Sequence, residues 1–165
     1  MAVADVTHRS ALNDVLLDSN VLLLLVVGLT NRAWIETFKR TRSRYRIGDF
    51  DALVVFVNRF KRCVTTPHIL AEVSALLGQL PGSQVDRARQ TLLDVARPYD
   101  ERFIPVASLQ SSGIAIRLGV TDAAIALVAT GGITILTDDA PLYIELLARG
   151  IDSQNFTHLR ASDRE

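Results

Sequence analysis

The sequence predicts an α/β protein with a central parallel sheet and helices packed on both of its faces. Short apolar runs at Val15–Leu17, Cys63–Thr65 and Ile133–Leu136 suit strands buried on both sides. Longer stretches of helical periodicity separate them, and strand–helix alternation is how a parallel sheet is built. Acidic residues stand at or just beyond these runs, where open α/β sheets collect their ligands.

Residues 1–12 carry little pattern and predict a loosely docked terminus. The first strand stops at Asp18-Ser19-Asn20, residues that cap helices. The cap decides that the apolar run Val21–Gly28 is a buried helix, although its branched side chains would also suit a strand. Ala33–Phe38 predicts a short helix and Lys39–Arg46 a charged, solvated connection. Ile47, Phe50, Leu53, Val54, Val57 and Phe60 recur at spacings of three and four, so an amphipathic helix begins near Asp49. After the strand at Cys63–Thr65, Thr66-Pro67 joins a capping hydroxyl to a proline at the first helical position. That helix ends near Gly78, and Ser83–Ala96 forms the next. Phe103–Val106 is a weaker strand because of Pro105, and a short helical stretch reaches Leu118. Thr121 is expected to cap a nearly all-apolar helix, Asp122 to Thr130, closed by Gly131-Gly132. Ile133–Leu136 is the clearest strand, Pro141–Arg149 a helix, and Asn155–His158 a last edge strand.

The chain has 165 residues and predicts a single domain, 1–165. Eighteen basic and eighteen acidic residues cancel, so net charge does not advertise nucleic acid. The distribution is uneven: residues 31–62 hold nine basic against three acidic residues, a local charge of +6 balanced by −6 elsewhere. Cys63 is the only cysteine, which excludes an internal disulfide and gives no sign of an oxidising compartment. The apolar run Val21–Leu29 falls short of the ~20 residues that span a bilayer and lacks a basic leader. A cytoplasmic protein with no membrane association is expected.

Four acids, Asp18, Glu72, Asp122 and Asp139, lie beside the most hydrophobic segments. Taken singly, each has a structural explanation. Asp18, Asp122 and Asp139 suit helix starts, where the dipole and free amides favour a carboxylate, and Glu72 suits a solvated helix face. Taken together, four carboxylates at one sheet edge would repel one another and raise each other's pKa values unless a cation neutralised them. Hard divalent cations take oxygen ligands, and such ions stabilise the attacking and leaving oxygens of phosphoryl displacement. The pattern therefore predicts a metal-dependent enzyme acting on phosphodiesters.

At this point the chain resembles the PIN-domain nucleases. The matching segments are Leu16–Leu22 (Leu-Leu-Asp18-Ser-Asn-Val-Leu), Thr66–Val73 around Glu72, Val120–Ala126 around Asp122, and Ile135-Leu136-Thr137-Asp138-Asp139. Each motif is weak alone; the ordered set, covering nearly the whole chain, is specific. The resemblance implies a PIN-like, Rossmann-type α/β/α sandwich, a Mg²⁺ or Mn²⁺ site and endoribonuclease activity on an RNA substrate. It implies that Asp18, Glu72, Asp122 and Asp139 are the catalytic and metal-binding acids, with Thr137 assisting and Asp138 secondary. It also implies a homo-oligomer and, if the chain is a toxin, an antitoxin or other protein inhibitor as partner. Glu72 follows Asp18 by 54 positions, more than in the compact toxin members, and the excess coincides with a basic helical insertion at about 31–62.

Arg40, Arg42 and Arg44 in that insertion suit phosphate contact or a plain solvated loop equally well. Trp34 and Tyr45 flank them and could stack on bases, although core packing fits Trp34 better. His8, His68 and His158 read as surface or capping residues, and Cys63 as a core thiol. Two alternatives stand beside the ribonuclease: an idle PIN-like module that binds RNA or protein, and a metal-dependent DNA nuclease. A response-regulator receiver would need a lysine after a late strand, and the only lysines are Lys39 and Lys61. A dehalogenase-like phosphatase would need an aspartate where Asn20 stands.

Overall fold

The computed structural model describes residues 12–129 and 131–162. Most of the weakly patterned segment 1–12, with His8, and the expected helix end at Thr130 lie outside them. Five parallel strands form the sheet: β1 (Leu12–Leu17), β2 (Phe60–Thr65), β3 (Asp100–Glu101), β4 (Ile133–Thr137) and β5 (Ser153–Asn155). Their order is β3-β2-β1-β4-β5. The architecture is thus the expected α/β fold with an all-parallel central sheet.

β1 occupies the middle, with Leu16 paired to Val64 of β2 on one side and to Ile135 of β4 on the other. The chain moves outward one way through β2 and β3, then returns to lay down β4 and β5 across β1. The turning point of this winding lies between β1 and β4, where α/β sheets open a crevice beyond their strand ends.

The helices are α1 (Ser19–Thr30), α2 (Trp34–Thr37), α3 (Lys39–Arg42), α4 (Ile47–Val57), α5 (Pro67–Leu77) and α6 (Gln84–Ala96). They continue with α7 (Val106–Ser112), α8 (Ile114–Leu118), α9 (Val120–Val128), α10 (Ala140–Ala148) and α11 (Phe156–Ser162). No helix among the described residues is long and apolar enough to cross a membrane.

α1 explains its own composition. Every residue from Val21 to Gly28 is buried, because α4, α5 and α6 all pack on it. A helix covered all round needs no polar face. Gly28 permits the close approach of α4: a Cβ there would stand 2.2 Å from Phe50 Cδ2.

Several elements depart from expectation, each for a physical reason. Phe60 opens β2 rather than closing α4; its ring centroid lies 5.1 Å from that of Phe56, so the helical spacing reflects packing across the turn. β3 is Asp100–Glu101, not Phe103–Val106. The Arg102 amide still donates to the Thr65 carbonyl, but Pro105 then caps α7. Thr121 lies inside α9, whose N-cap is Gly119 at φ +100, a conformation natural only to glycine. β5 ends at Asn155, whose side chain accepts from the Thr157 amide at 2.9 Å and turns the chain into α11.

The basic stretch Lys39–Arg46 is solvated along its charged side chains, as expected, but it holds the short helix α3 and is anchored by two buried residues. Thr41 is fully buried and donates its hydroxyl to the Ile35 carbonyl at 2.8 Å, and Tyr45 is 1% exposed. Arg160 of α11 clasps the stretch, standing over the Tyr45 ring and donating to the Arg44 carbonyl and to Asp49.

Candidate active site

The carboxyl ends of β1 and β4 deliver two of the acids. β1 ends at Leu17 and Asp18 is the N-cap of α1, its Oδ1 accepting from the Ser19 amide at 2.5 Å. Its other oxygen accepts from the Thr137 hydroxyl at 2.6 Å. Thr137, the last residue of β4, also accepts from the Asp139 amide at 3.0 Å, so one hydroxyl ties the two strand ends together. Asp139 caps α10 through the Leu142 amide at 2.9 Å. The capping explanation therefore holds for Asp18 and Asp139, and it coexists with a place at the site.

All four predicted acids line one cavity of about 350 Å³, together with Ser19, Asn20 and the segment Leu118–Thr121. Asp18 is buried at its base, Asp122 and Asp139 are half-buried, and Glu72, in the second turn of α5, is exposed. The Thr66 cap begins α5 as expected, accepting from the Ile69 amide at 3.3 Å, and so fixes where Glu72 falls.

The electrostatics record the crowding. Burial, with the charges of Asp122 and Asp138 added, pushes the Asp18 carboxyl up to about 7, against the opposing hydrogen bonds from Thr137 and Ser19. Burial, then the charges of Asp139 and Glu72, pushes Asp122 up to about 6. Asp18 and Asp122 thus each feel at least one other acid of the cavity, as shared placement requires.

The donor set is all oxygen, which suits a hard cation such as Mg²⁺ or Mn²⁺. The Ser19 hydroxyl adds a buried oxygen with no partner among the described residues. Among the described residues no three His, Cys, Asp or Glu side chains converge tightly enough to hold an ion. The arrangement fits an ion that takes one or two carboxylates and fills its other positions with water and substrate oxygens, the habit of Mg²⁺.

Sequence reasoning undervalued Asp138. Its side chain is only 8% exposed and faces away from the cavity lining into a knot of donors. The Tyr45 hydroxyl makes a very short bond to it, Arg44 pairs with it at 3.3 Å, and Asn20 reaches it at 3.4 Å. Burial and the Asp138 charge hold the Tyr45 hydroxyl far above its usual range, so it remains a donor. Tyr45 and Trp34 are both buried, so neither is a platform for bases. The only sequence signal for this knot was the adjacency of Asp138 to Asp139.

The three arginines singled out behave differently. Arg44 stands half-exposed beside Asp138, next to the cavity residue Asn20. Arg40 donates to Gln79 at 2.7 Å, and the exposed Arg42 side chain has no partner among the described residues. Neither His68 nor His158 lines the cavity; His158 meets the Tyr143 ring edge-on. No protein-family model and no curated protein matches the chain.

Proposed function

We propose that this chain is a Mg²⁺- or Mn²⁺-dependent endoribonuclease of the PIN-domain kind, hydrolysing RNA phosphodiester bonds. One observation carries the reading: Asp18, Glu72, Asp122 and Asp139, contributed by four separate segments, line a single cavity at the carboxyl edge of the sheet. Open α/β sheets use that edge for binding and catalysis. The raised pKa values of Asp18 and Asp122 add support, because carboxylates placed against their own ionisation are what a cation would relieve.

Those four acids would share the cation, one or two as direct ligands, and when bound it supplies Lewis acidity at the phosphoryl oxygens and acidifies water for attack. The chain's own contribution is positional. Thr137 and the Ser19 amide fix both oxygens of Asp18, and the Leu142 amide fixes one oxygen of Asp139. Glu72, exposed at the mouth, is free to follow the substrate. Arg44, Arg40 and Arg42 offer positive charge to a polyanion that the acids alone would repel. A cytoplasmic setting goes with this reading, since a lone cysteine needs no oxidising compartment.

The test is incubation of the purified protein with single-stranded RNA, structured RNA and DNA in Mg²⁺, Mn²⁺ or EDTA. RNA cleavage that stops in EDTA and returns with excess metal is the expected result. Cleavage of DNA alone would move the reading to a DNA nuclease. RNA binding without cleavage under every metal condition would overturn it in favour of an idle binding module.

A further inference from the structure

α9 opens directly into the cavity. Gly119, Val120, Thr121 and Asp122 all line it, and no side chain among the described residues caps the helix. Gly119 turns the chain at φ +100, and its own amide is occupied by the Ala115 carbonyl at 3.0 Å. The next two amides, of Val120 and Thr121, find no acceptor among the described residues. Uncapped first-turn amides carry the positive end of the helix dipole, and a helix start in this condition is a seat for an anion.

A second observation comes from a different helix. Ser19, in the first turn of α1, is 3% exposed and lines the same cavity, yet its Oγ has no partner among the described residues. A buried hydroxyl left unpaired is costly enough to be exceptional. A metal cation could take the Ser19 oxygen but cannot answer the Val120 and Thr121 amides, because an N–H needs an acceptor. The cavity therefore presents two kinds of demand: carboxylates that want positive charge, and donors that want an oxygen. A phosphate brought in beside a cation meets both.

We propose that the Val120 and Thr121 amides, with the Ser19 hydroxyl, seat a non-bridging oxygen of a nucleic-acid phosphate beside the carboxylates. The inference rests on the phosphodiesterase reading for the identity of the ligand. Its geometry is independent of any cleavage step. The phosphate that enters is an internal diester or a chain-terminal monoester, and the two share the oxygen that the seat recognises.

Small probes separate these cases. The ¹H–¹⁵N spectrum of the whole protein in Mg²⁺ is titrated with dimethyl phosphate, as the diester, and with methyl phosphate, as the monoester; methanol is the control. Saturable shifts of the Val120 and Thr121 amides are expected with at least one phosphate, and the probe that produces them identifies the source. Val120→Pro deletes a single amide at a position where proline suits the helix start. It should weaken that probe by about tenfold or more, the worth of one hydrogen bond to a charged group. Ser19→Ala should weaken it as well, and serves alone if the proline variant does not fold. Unmoved amides with both probes, or unchanged affinity in the folded variants, would overturn the seat. RNA cleavage with no phosphate seated would refute this inference and leave the nuclease. A seated phosphate without cleavage of any nucleic acid would do the reverse.

Discussion

Replacing Asp18 by asparagine should make the metal-free protein more stable in alkali while removing its proposed activity. The folded carboxyl ionises near 7 against 3.8 for the free group, because burial and neighbouring acids outweigh the hydrogen bonds from Thr137 and Ser19. Below the lower value the group is protonated in both folded and unfolded chains, and its burial carries no charge penalty. As pH rises, the unfolded chain releases its proton first, so stability present in acid is lost steadily until the folded group ionises too. A gap of about three pKa units corresponds to about 4 kcal/mol, fully expressed above pH 7. Asparagine keeps the shape without the charge and should recover much of that amount. The assay is urea unfolding in EDTA: an advantage approaching about 4 kcal/mol is expected near pH 8 and close to none near pH 4. An equal difference at both pH values would refute the assignment of Asp18 as a buried, charge-strained acid. Retained, EDTA-sensitive cleavage by the same variant would refute its role at the site.

Three further outcomes follow from the geometry. Tyr45→Phe leaves the buried Asp138 carboxylate without its shortest hydrogen bond and should destabilise the fold by about 1–3 kcal/mol in urea unfolding; an unchanged midpoint would show that Arg44 and Asn20 suffice. Gly28→Ala drives a methyl into Phe50 at 2.2 Å and should cost about 1–3 kcal/mol, with Phe50→Leu in the same chain restoring part of the loss. Neutralising Arg40, Arg42 and Arg44 together should weaken RNA binding and reduce the slope of log affinity against log salt by about 0.7 for each phosphate that is no longer neutralised. An unchanged slope would leave these arginines as structural residues, the role that Gln79 and Asp138 already give two of them.

What could be read in the sequence was what local chemistry decides. The Thr66-Pro67 start of α5 and the apolar run of β4 depend on neighbours in sequence, and both stand where expected. The four acids were found because each lies just after a strand or in the opening turns of a helix, which predicts a common edge. The helix start at Thr121 failed because a glycine with φ +100 two residues earlier overrides a threonine as cap. The charged side chains of Lys39–Arg46 are solvated as their composition implied, but its anchors, Thr41 and Tyr45, were not foreseen, the second held by a carboxylate 93 residues away. No periodicity encodes a pairing of that span. The same holds for the orphaned Ser19 hydroxyl, which reads as an ordinary capping residue until the walls around it are in place.

The placement of β1 has a consequence for how the molecule comes into being. The central strand and the apolar helix behind it leave the ribosome well before β4, which flanks β1 and supplies Thr137 to Asp18 from 119 residues further on. Until β4 emerges, α1 has only part of a sheet to shield its leucines and valines, and pairing so distant in sequence closes slowly. The nascent chain therefore carries its stickiest surface longest. In cell-free synthesis the yield of folded chain should fall as nascent-chain concentration rises, and a holdase chaperone present before residue 137 appears should recover it.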